Sequence, residues 1–538
     1  MDPRQPSAEA VAVAGDRIVA VGDRRSVLKR RGPQTRMVAL GERALLPGFI
    51  DAHGHITAQA AQVRMAALAP PPVGAVESIA ALQDALRRYL SDRQPVPGQW
   101  VIGFGYDDSQ LAERRHPTRA DLDVVSTINP IYIIHASGHM GVANSPALAA
   151  LDIGAATPDP PGGAIRRMPQ SREPDGLLEE SANSRVYAAL PRLTSLGGGP
   201  AAPMDEAVAQ LRIALMNNAA AGITTVEDGA SLPENLAVLR AAAAADALPL
   251  DVIAHVLWAP LAGPLPALDD AGAYRGRLKI GGVKLILDGS PQGKTAFLSE
   301  PYRVPPPGKD AGYRGAPAMP QETVDAAVDT VLARGLQLQA HANGDAAAQQ
   351  LIDAVARAQP APADTGAPRV IMIHAQTVRD DQLDGMKALG IMPSFFPAHT
   401  FFWGDWHRDS VLGPVRAARI SPMRSARERG MRFTIHNDAP VVPPDILRLV
   451  WNAVNRISRS GAVIGPEQRI TVTEALAAVT RDAAFQNGEV RDKGTLAAGM
   501  QADLVILSED PRAVPPLDLR RITVRETVSR GASVYRAD

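Results

Sequence analysis

Cysteine is absent from this chain of 538 residues, which excludes disulfides, thiolate nucleophiles and Cys-based zinc sites. Any metal would rest on His, Asp, Glu or Lys. A charge excess is also lacking, since 56 Lys+Arg stand against 57 Asp+Glu for a net −1. Such balance gives no electrostatic pull toward nucleic acid or anionic lipid. No stretch approaches the ~20 apolar residues that span a bilayer. The opening MDPRQPSAEAVAVAGDR has no apolar core of signal-peptide length. The expectation is a soluble, cytoplasmic protein with neither nucleic acid nor membrane among its partners. Lysine is scarce as well. Only positions 29, 279, 284, 294, 309, 387 and 493 carry it, which leaves 49 of the 56 positive charges to Arg. A lysine in an unusual place therefore invites a reason.

What is present reads as globular. Apolar residues make up 46% and charged residues 21%, so a buried core is expected. The length leaves room for two or three units, or for one large barrel with insertions. Both ends are rich in short strands with Gly turns: VAVAGDRIVAVG at 11–22, then GTLAAGMQADLVILSED at 494–510 and RRITVRETVSRGASVYR at 520–536. Pairing of the termini into one small β domain, spanning 1–45 and 487–538, is the economical reading.

Between them, eight apolar runs read as strands, most followed by an Ala-rich helical stretch. They lie at 44–56, 222–230, 250–257, 280–290, 336–345, 369–376, 391–399 and 432–440. Strands alternating with helices predict an α/β fold with a parallel sheet, and eight fit a (β/α)8 TIM barrel over 46–486. The first interval, 57–221, is far too long for one helix and has its own Pro/Gly punctuation. A loop of that size is usually functional, and it is read as an inserted cap over the barrel mouth.

Polar residues gather at the C-terminal strand ends, where such barrels place their active sites. His53 and His55 alternate after strand one, and Lys284, His341, His374 and Asp438 fall on strands four, five, six and eight. A lone strand-end His is more often a packing residue than a ligand, and Lys284 next to Asp288 could be a plain ion pair. The six together predict two adjoining sites for a divalent metal, with zinc the default for imidazole and carboxylate donors. Lys284 sits in the otherwise apolar GGVKLILDG, where an ammonium is costly unless paired or neutralised. A neutral amine there could take up carbon dioxide as a carbamate, which Arg cannot do.

The segments LLPGFIDAHGHI, VKLILDGSPQGKTAFL, LQAHANGDAA, VIMIHAQ, FTIHNDAPVVPP and KGTLAAGMQADLVILSEDP resemble the amidohydrolase superfamily, specifically its family 3 (YtcJ-like) group. FFPAHTFFWGDWH with HNDAPVVPPD is most similar to the N-substituted formamide deformylases. The resemblance implies a (β/α)8 barrel, a β-sandwich built from both termini, and a metal centre of one or two ions with carboxylated Lys284. On this chain the ligands implied are His53, His55, Lys284, His341, His374 and Asp438. Members usually begin with one further strand, LxxNGxIxT, and this sequence starts just after it. The implied reaction is hydrolysis of a C–N amide bond in a small-molecule substrate, with Asp438 and Lys284 at the catalytic centre. Esters, lactones, cyclic imides and deamination substrates suit the same site. A non-catalytic binding relative is disfavoured because all six positions are filled. A homodimer follows by analogy alone.

Further residues could touch substrate. Tyr106 and His139 lie in the insertion, Gln292 and Lys294 just past strand four, and His399 at the end of strand seven. Each has an alternative reading: support of the insertion for the first two, loop formation for the next two, and orientation of the ligands for His399. Six of 22 aromatics, Trp403 among them, fall within 395–406, read as the end of strand seven and a loop. They either line the pocket or pack the insertion onto the barrel.

Overall fold

The short Val-, Ile- and Leu-rich runs of the middle region carry apolar residues at successive positions, as a sheet covered on both faces requires. The computed structural model describes residues 6–183, 186, 203–258, 268, 270–358 and 367–537. In it, eight strands pair in chain order into one curled parallel sheet: β1 (Phe49–Ile50), β2 (Ile223–Ser231), β3 (Asp251–Leu257), β4 (Leu278–Ile286), β5 (Gln337–Ala342), β6 (Val370–His374), β7 (Met392–Phe395) and β8 (Thr434–Ile435). Each of the eight expected runs overlaps one of them, with Ser231 and Leu278–Lys279 falling just outside the expected bounds. β1 and β8 form no ladder. Just past their ends, His55 N–H donates to Ala439 O at 2.7 Å and Asp438 N–H to His53 O at 3.1 Å.

Helices cover the outside. Gln321–Ala333 shows the reason in its spacing, burying Val324, Ala327, Val328 and Val331 along one stripe. Met204–Ala220 packs Leu211, Leu215 and Ala219 into the same core as Ile223 and runs straight into β2. It serves the parallel sheet, so the expected insertion of 57–221 is too long at its C-terminal end. Residues 184–185 and 187–202 of that span lie outside the described residues.

The insertion contains a six-stranded sheet for which the sequence reading assigned no strands. Its order is Ala66–Ala67, Val101–Tyr106, Ile131–His135, Met140–Ala143, Pro174–Glu180 and Gly163–Arg167. Alternation divides its side chains between two faces. Ile131 and Ile133 join Leu82 and Leu86 on one, and Tyr132 and Ile134 join Phe104 and Leu148 on the other.

The termini do meet. Ala532–Arg536, Val524–Ser529, Leu504–Leu507 and Ala44–Pro47 form an antiparallel sheet in that order. A hairpin of Ala10–Ala14 and Arg17–Gly22, turned at Gly15 with φ 60°, lays Ile18 against Ala502 and Leu504. Leu46 and Pro47 pair with Val505 and Leu504, so a boundary after residue 45 cuts through a strand of this small sheet. Among the described residues no helix is long and apolar enough to cross a membrane.

Candidate metal centre

The C-terminal ends of the parallel strands bring the six expected residues together. His53, His55 and Asp438 hold ligating atoms all within 4.8 Å of one another. Asp438 Oδ1 lies 3.3 Å from His55 Nε2 and 3.6 Å from His53 Nε2, while Oδ2 lies 3.9 Å from His374 Nε2. His374 Nε2 is 3.1 Å from His341 Nδ1, and Lys284 Nζ is 2.9 Å from His53 Nε2. His374 and Asp438 have φ values of 72° and 54°, in the left-handed region that side chains seldom occupy. Conformations of this kind persist where the surrounding structure over-determines them, often at functional sites.

The electrostatics favour coordination. Burial alone would raise the Asp438 carboxyl, yet the imidazoles of His374, His55 and His53 hold it well below the usual carboxylate range. Its Oδ1 is buried with no hydrogen-bond partner. Burial pushes the Lys284 amine down to about 8, against the opposing pull of Asp438 and Glu227. Asp288 makes no ion pair with it. That carboxylate instead accepts backbone N–H bonds from Phe297, Asn343 and Gly344 at 2.7–2.9 Å. A set of imidazoles, a low-pKa carboxylate with a free oxygen and a lysine that gives up its proton more readily than usual is a donor set that suits a divalent metal.

Several residues that sequence reasoning passed over complete the centre. Glu227, buried on β2, places Oε2 3.6 Å from His53 Nδ1 and 3.8 Å from His255 Nδ1, and neither nitrogen has a hydrogen-bond partner. Burial raises this carboxyl to about 8, with Gln339 and Lys284 pulling the other way. Gly229, two residues on, has to be glycine, because a Cβ there would come within 2.2 Å of the His53 ring. His436 Nε2 lies 3.2 Å from His374 Nδ1, and its own Nδ1 is 2.9 Å from Ser394 Oγ. Asp51 accepts both N–H and Nδ2–H of Asn437 at 3.0 Å, bracing the turn that presents Asp438. Signals existed in the sequence. His436 alternates with Asp438 as His53 does with His55, and Glu227 is followed directly by a second acid, Asp228, in a strand otherwise free of charge.

The residues singled out for substrate are dispersed. His139 reaches the centre: its ring centroid is 5.0 Å from that of His341, and Nδ1 is 2.9 Å from Glu180 Oε2. His399 sits one ring away, 4.8 Å from Phe396, which stacks on His436 at 5.4 Å. Gln292 is buried with Oε1 unpartnered, and its carbonyl accepts Trp406 Nε1–H. Tyr106 turns away into the insertion, its hydroxyl 3.2 Å from His116 Nδ1. Beside it, Asp107, Asp108 and His135 form a second buried group. Trp403 is buried with Nε1–H donating to Asp107 Oδ2 at 2.6 Å, so it joins the parallel-sheet region to the insertion. The aromatic stretch is not a loop, because Ala398–Trp406 is a helix.

Comparison with known proteins agrees with this geometry. Residues 36–535 match the amidohydrolase family. The chain is 29% identical to N-substituted formamide deformylase of Arthrobacter pascens, over 99% of this chain and 96% of that protein. In fold it resembles an uncharacterized metal-dependent hydrolase of Pyrococcus horikoshii OT3, with a TM-score of 0.70 at 23% identity over 94% of each chain. A second such hydrolase, from Pyrococcus furiosus, gives 0.67 at 24% identity over 93% of this chain and 95% of the other.

Proposed function

This chain belongs to the amidohydrolase family, and from that premise we propose that it is a metal-dependent hydrolase cleaving the C–N bond of an N-substituted formamide or a similar amide. The observation that carries the reading is the convergence of two alternating histidines, a buried lysine, two further histidines and an aspartate at one end of a curled parallel sheet. The 29% identity to a formamide deformylase over nearly both chains supports the substrate class. We further propose that the curled sheet closes as a (β/α)8 barrel and that the two terminal sheets act as one sandwich beside it.

His53, His55, His341, His374 and Asp438 would hold one or two divalent ions, zinc by the chemistry of the donors. Lys284 would add an anionic oxygen once its amine has taken up carbon dioxide and released a proton. A divalent metal held there would lower the pKa of water and polarise the amide carbonyl. Asp438 accepts the proton of the attacking water on its free Oδ1 and returns it to the departing nitrogen, since an amine leaves poorly unless protonated. His139, oriented by Glu180 from the insertion, covers the His341 side and can donate to the carbonyl oxygen. Glu227 fixes His53 through Nδ1 so that Nε2 faces the centre.

The test combines metal analysis of the purified protein with a turnover screen. The expected result is stoichiometric zinc and release of formate from N-benzylformamide, lowered about 10²–10⁴-fold in Asp438→Asn as removal of a general acid–base group predicts. Turnover of esters or cyclic imides without any amide hydrolysis would overturn the substrate class.

A further inference from the structure

Away from the metal-centre cluster, Asn452 is a polar side chain with nothing to bond. It lies on the helix Ile446–Asn455 that follows β8 and is fully buried, with neither Oδ1 nor Nδ2 partnered among the described residues. The great majority of buried amides are hydrogen-bonded, so an orphan of both kinds marks an unfinished contact. Asn452 lines a cavity of about 200 Å³. Phe402, Val442 and Leu449 give it apolar walls, and Val73 from the insertion closes one side. Arg448 and Asp445 also line it, paired at 3.2 Å and both partly exposed. Two other lining residues, Asn437 and Ala398, immediately precede Asp438 and His399, so the cavity stands one residue behind the candidate centre.

The chemistry of an occupant follows from these walls. A carboxamide offers one acceptor and two donors, which a hydroxyl or another carboxamide complements. Arg448 and Asp445 are already paired with each other, so a full charge at Asn452 would find no free counter-charge, and the group facing Asn452 is neutral. A dry cavity of about 150 Å³ admits benzene, and this one has room for a ring with a substituent. We propose that the cavity binds a neutral aryl or short alkyl group ending in a hydroxyl or carboxamide, with that end on Asn452. The group is either the far end of an amide substrate's own N-substituent, in which case the inference rests on the proposed function, or a separate small molecule.

The test begins with binding, which needs no turnover. Calorimetry on the full chain with p-cresol and toluene should show p-cresol binding at least about tenfold tighter, as a site built to bond a hydroxyl predicts. Asn452→Leu should erase that difference. Val73 is 45% exposed, so Val73→Trp can fill the cavity without disturbing the core, and it should weaken both probes. Equal affinity for the two probes in the native protein, or a ratio unchanged by Asn452→Leu, overturns the proposal and leaves the cavity to water. If Asn452→Leu does not fold, undiminished p-cresol binding in Val73→Trp overturns it instead. Turnover then separates the two sources. Preference for N-(4-hydroxybenzyl)formamide over N-benzylformamide, with p-cresol competitive, assigns the cavity to substrate. Retained p-cresol binding that is not competitive assigns it to a separate ligand. Absence of formamide hydrolysis alongside p-cresol binding counts against the proposed function and not against this site.

Discussion

Four of the seven lysines, at 279, 284, 294 and 493, are buried, in a chain that otherwise makes its positive charge with Arg. Three have visible reasons. Lys279 donates to Glu489 Oε1, Lys493 to Asp251 Oδ2 and Lys294 to Ser410 Oγ. The fourth, Lys284, lies 2.9 Å from His53 Nε2 and has no ion pair within reach among the described residues, feeling Asp438 and Glu227 only at longer range. Lys284→Ala is expected to lose metal and activity together, with short carboxylic acids restoring part of the activity by refilling the gap. Full metal content by elemental analysis in that variant would sink the carbamate. Glu227 yields an independent expectation at the same scale. Glu227→Gln keeps its volume but removes the carboxyl group, and loss of such a support typically lowers metal affinity about 10–100-fold. Competition with a chelator measures it, and an unchanged affinity would leave Glu227 a mere filler. The six residues expected at the centre were legible because each is a chemically odd residue at a strand end. Their supports were less so, since Glu227, Asp51 and His255 act through contacts between strands far apart in sequence.

At the scale of elements, the parallel strands were legible because each is a short apolar run flanked by turn residues and followed by a helical stretch. The inserted sheet was not. Its strands change direction and pair across long gaps, and Pro174–Glu180 places two acids at its end, so no simple alternation announces them. The helix Ala398–Trp406 hid for another reason, being too aromatic and too short for a helical stripe to show. Its Trp403 is buried with the indole N–H on Asp107, which makes the element a joint between the parallel-sheet region and the insertion. Trp403→Phe keeps most of the packing and leaves a buried carboxylate oxygen unpaired. The expected cost is about 1–3 kcal/mol, read by denaturant unfolding. Trp403→Ala adds the cavity of a lost ring and should cost about 3–5 kcal/mol. A Phe variant as stable as the native protein would mean that water replaces the indole at Asp107 without loss. On the sequence-level choice between lining a pocket and packing the insertion, Trp403 falls on the packing side and Phe402, which borders the cavity beside Asn437, on the other.

Taken as a whole molecule, buried histidines shift in both directions, and His135 of the insertion stands against His255 and His436 of the parallel-sheet region. Around the parallel sheet, burial pushes His255 and His436 down to about 3, so both are neutral when folded. The unfolded chain binds those protons near 6.5, and the fold therefore loses stability as the pH falls below that value. His135 in the insertion goes the other way. Burial would lower it too, but Asp107 and Asp108 around its Nε2 raise it to about 9, and Ser137 Oγ lies 2.8 Å from Nδ1. A raised pKa means that the folded state holds a proton the unfolded state gives up between 6.5 and 9. The stabilisation is thus fully present below 6.5 and lost as the pH climbs through 9. Its size follows from the gap in pKa, on the order of 3 kcal/mol for a buried pair. Asp108 is the partner to remove, because its Oδ1 lies 3.2 Å from the imidazole against 3.9 Å for Asp107, and no step of the proposed chemistry uses it. The difference in melting temperature between the native protein and Asp108→Asn should be widest near pH 6 and should shrink by pH 9, where a neutral imidazole no longer distinguishes a carboxylate from an amide. A gap of constant width across that range would mean that His135 is neutral in the fold and that the insertion is held by packing alone.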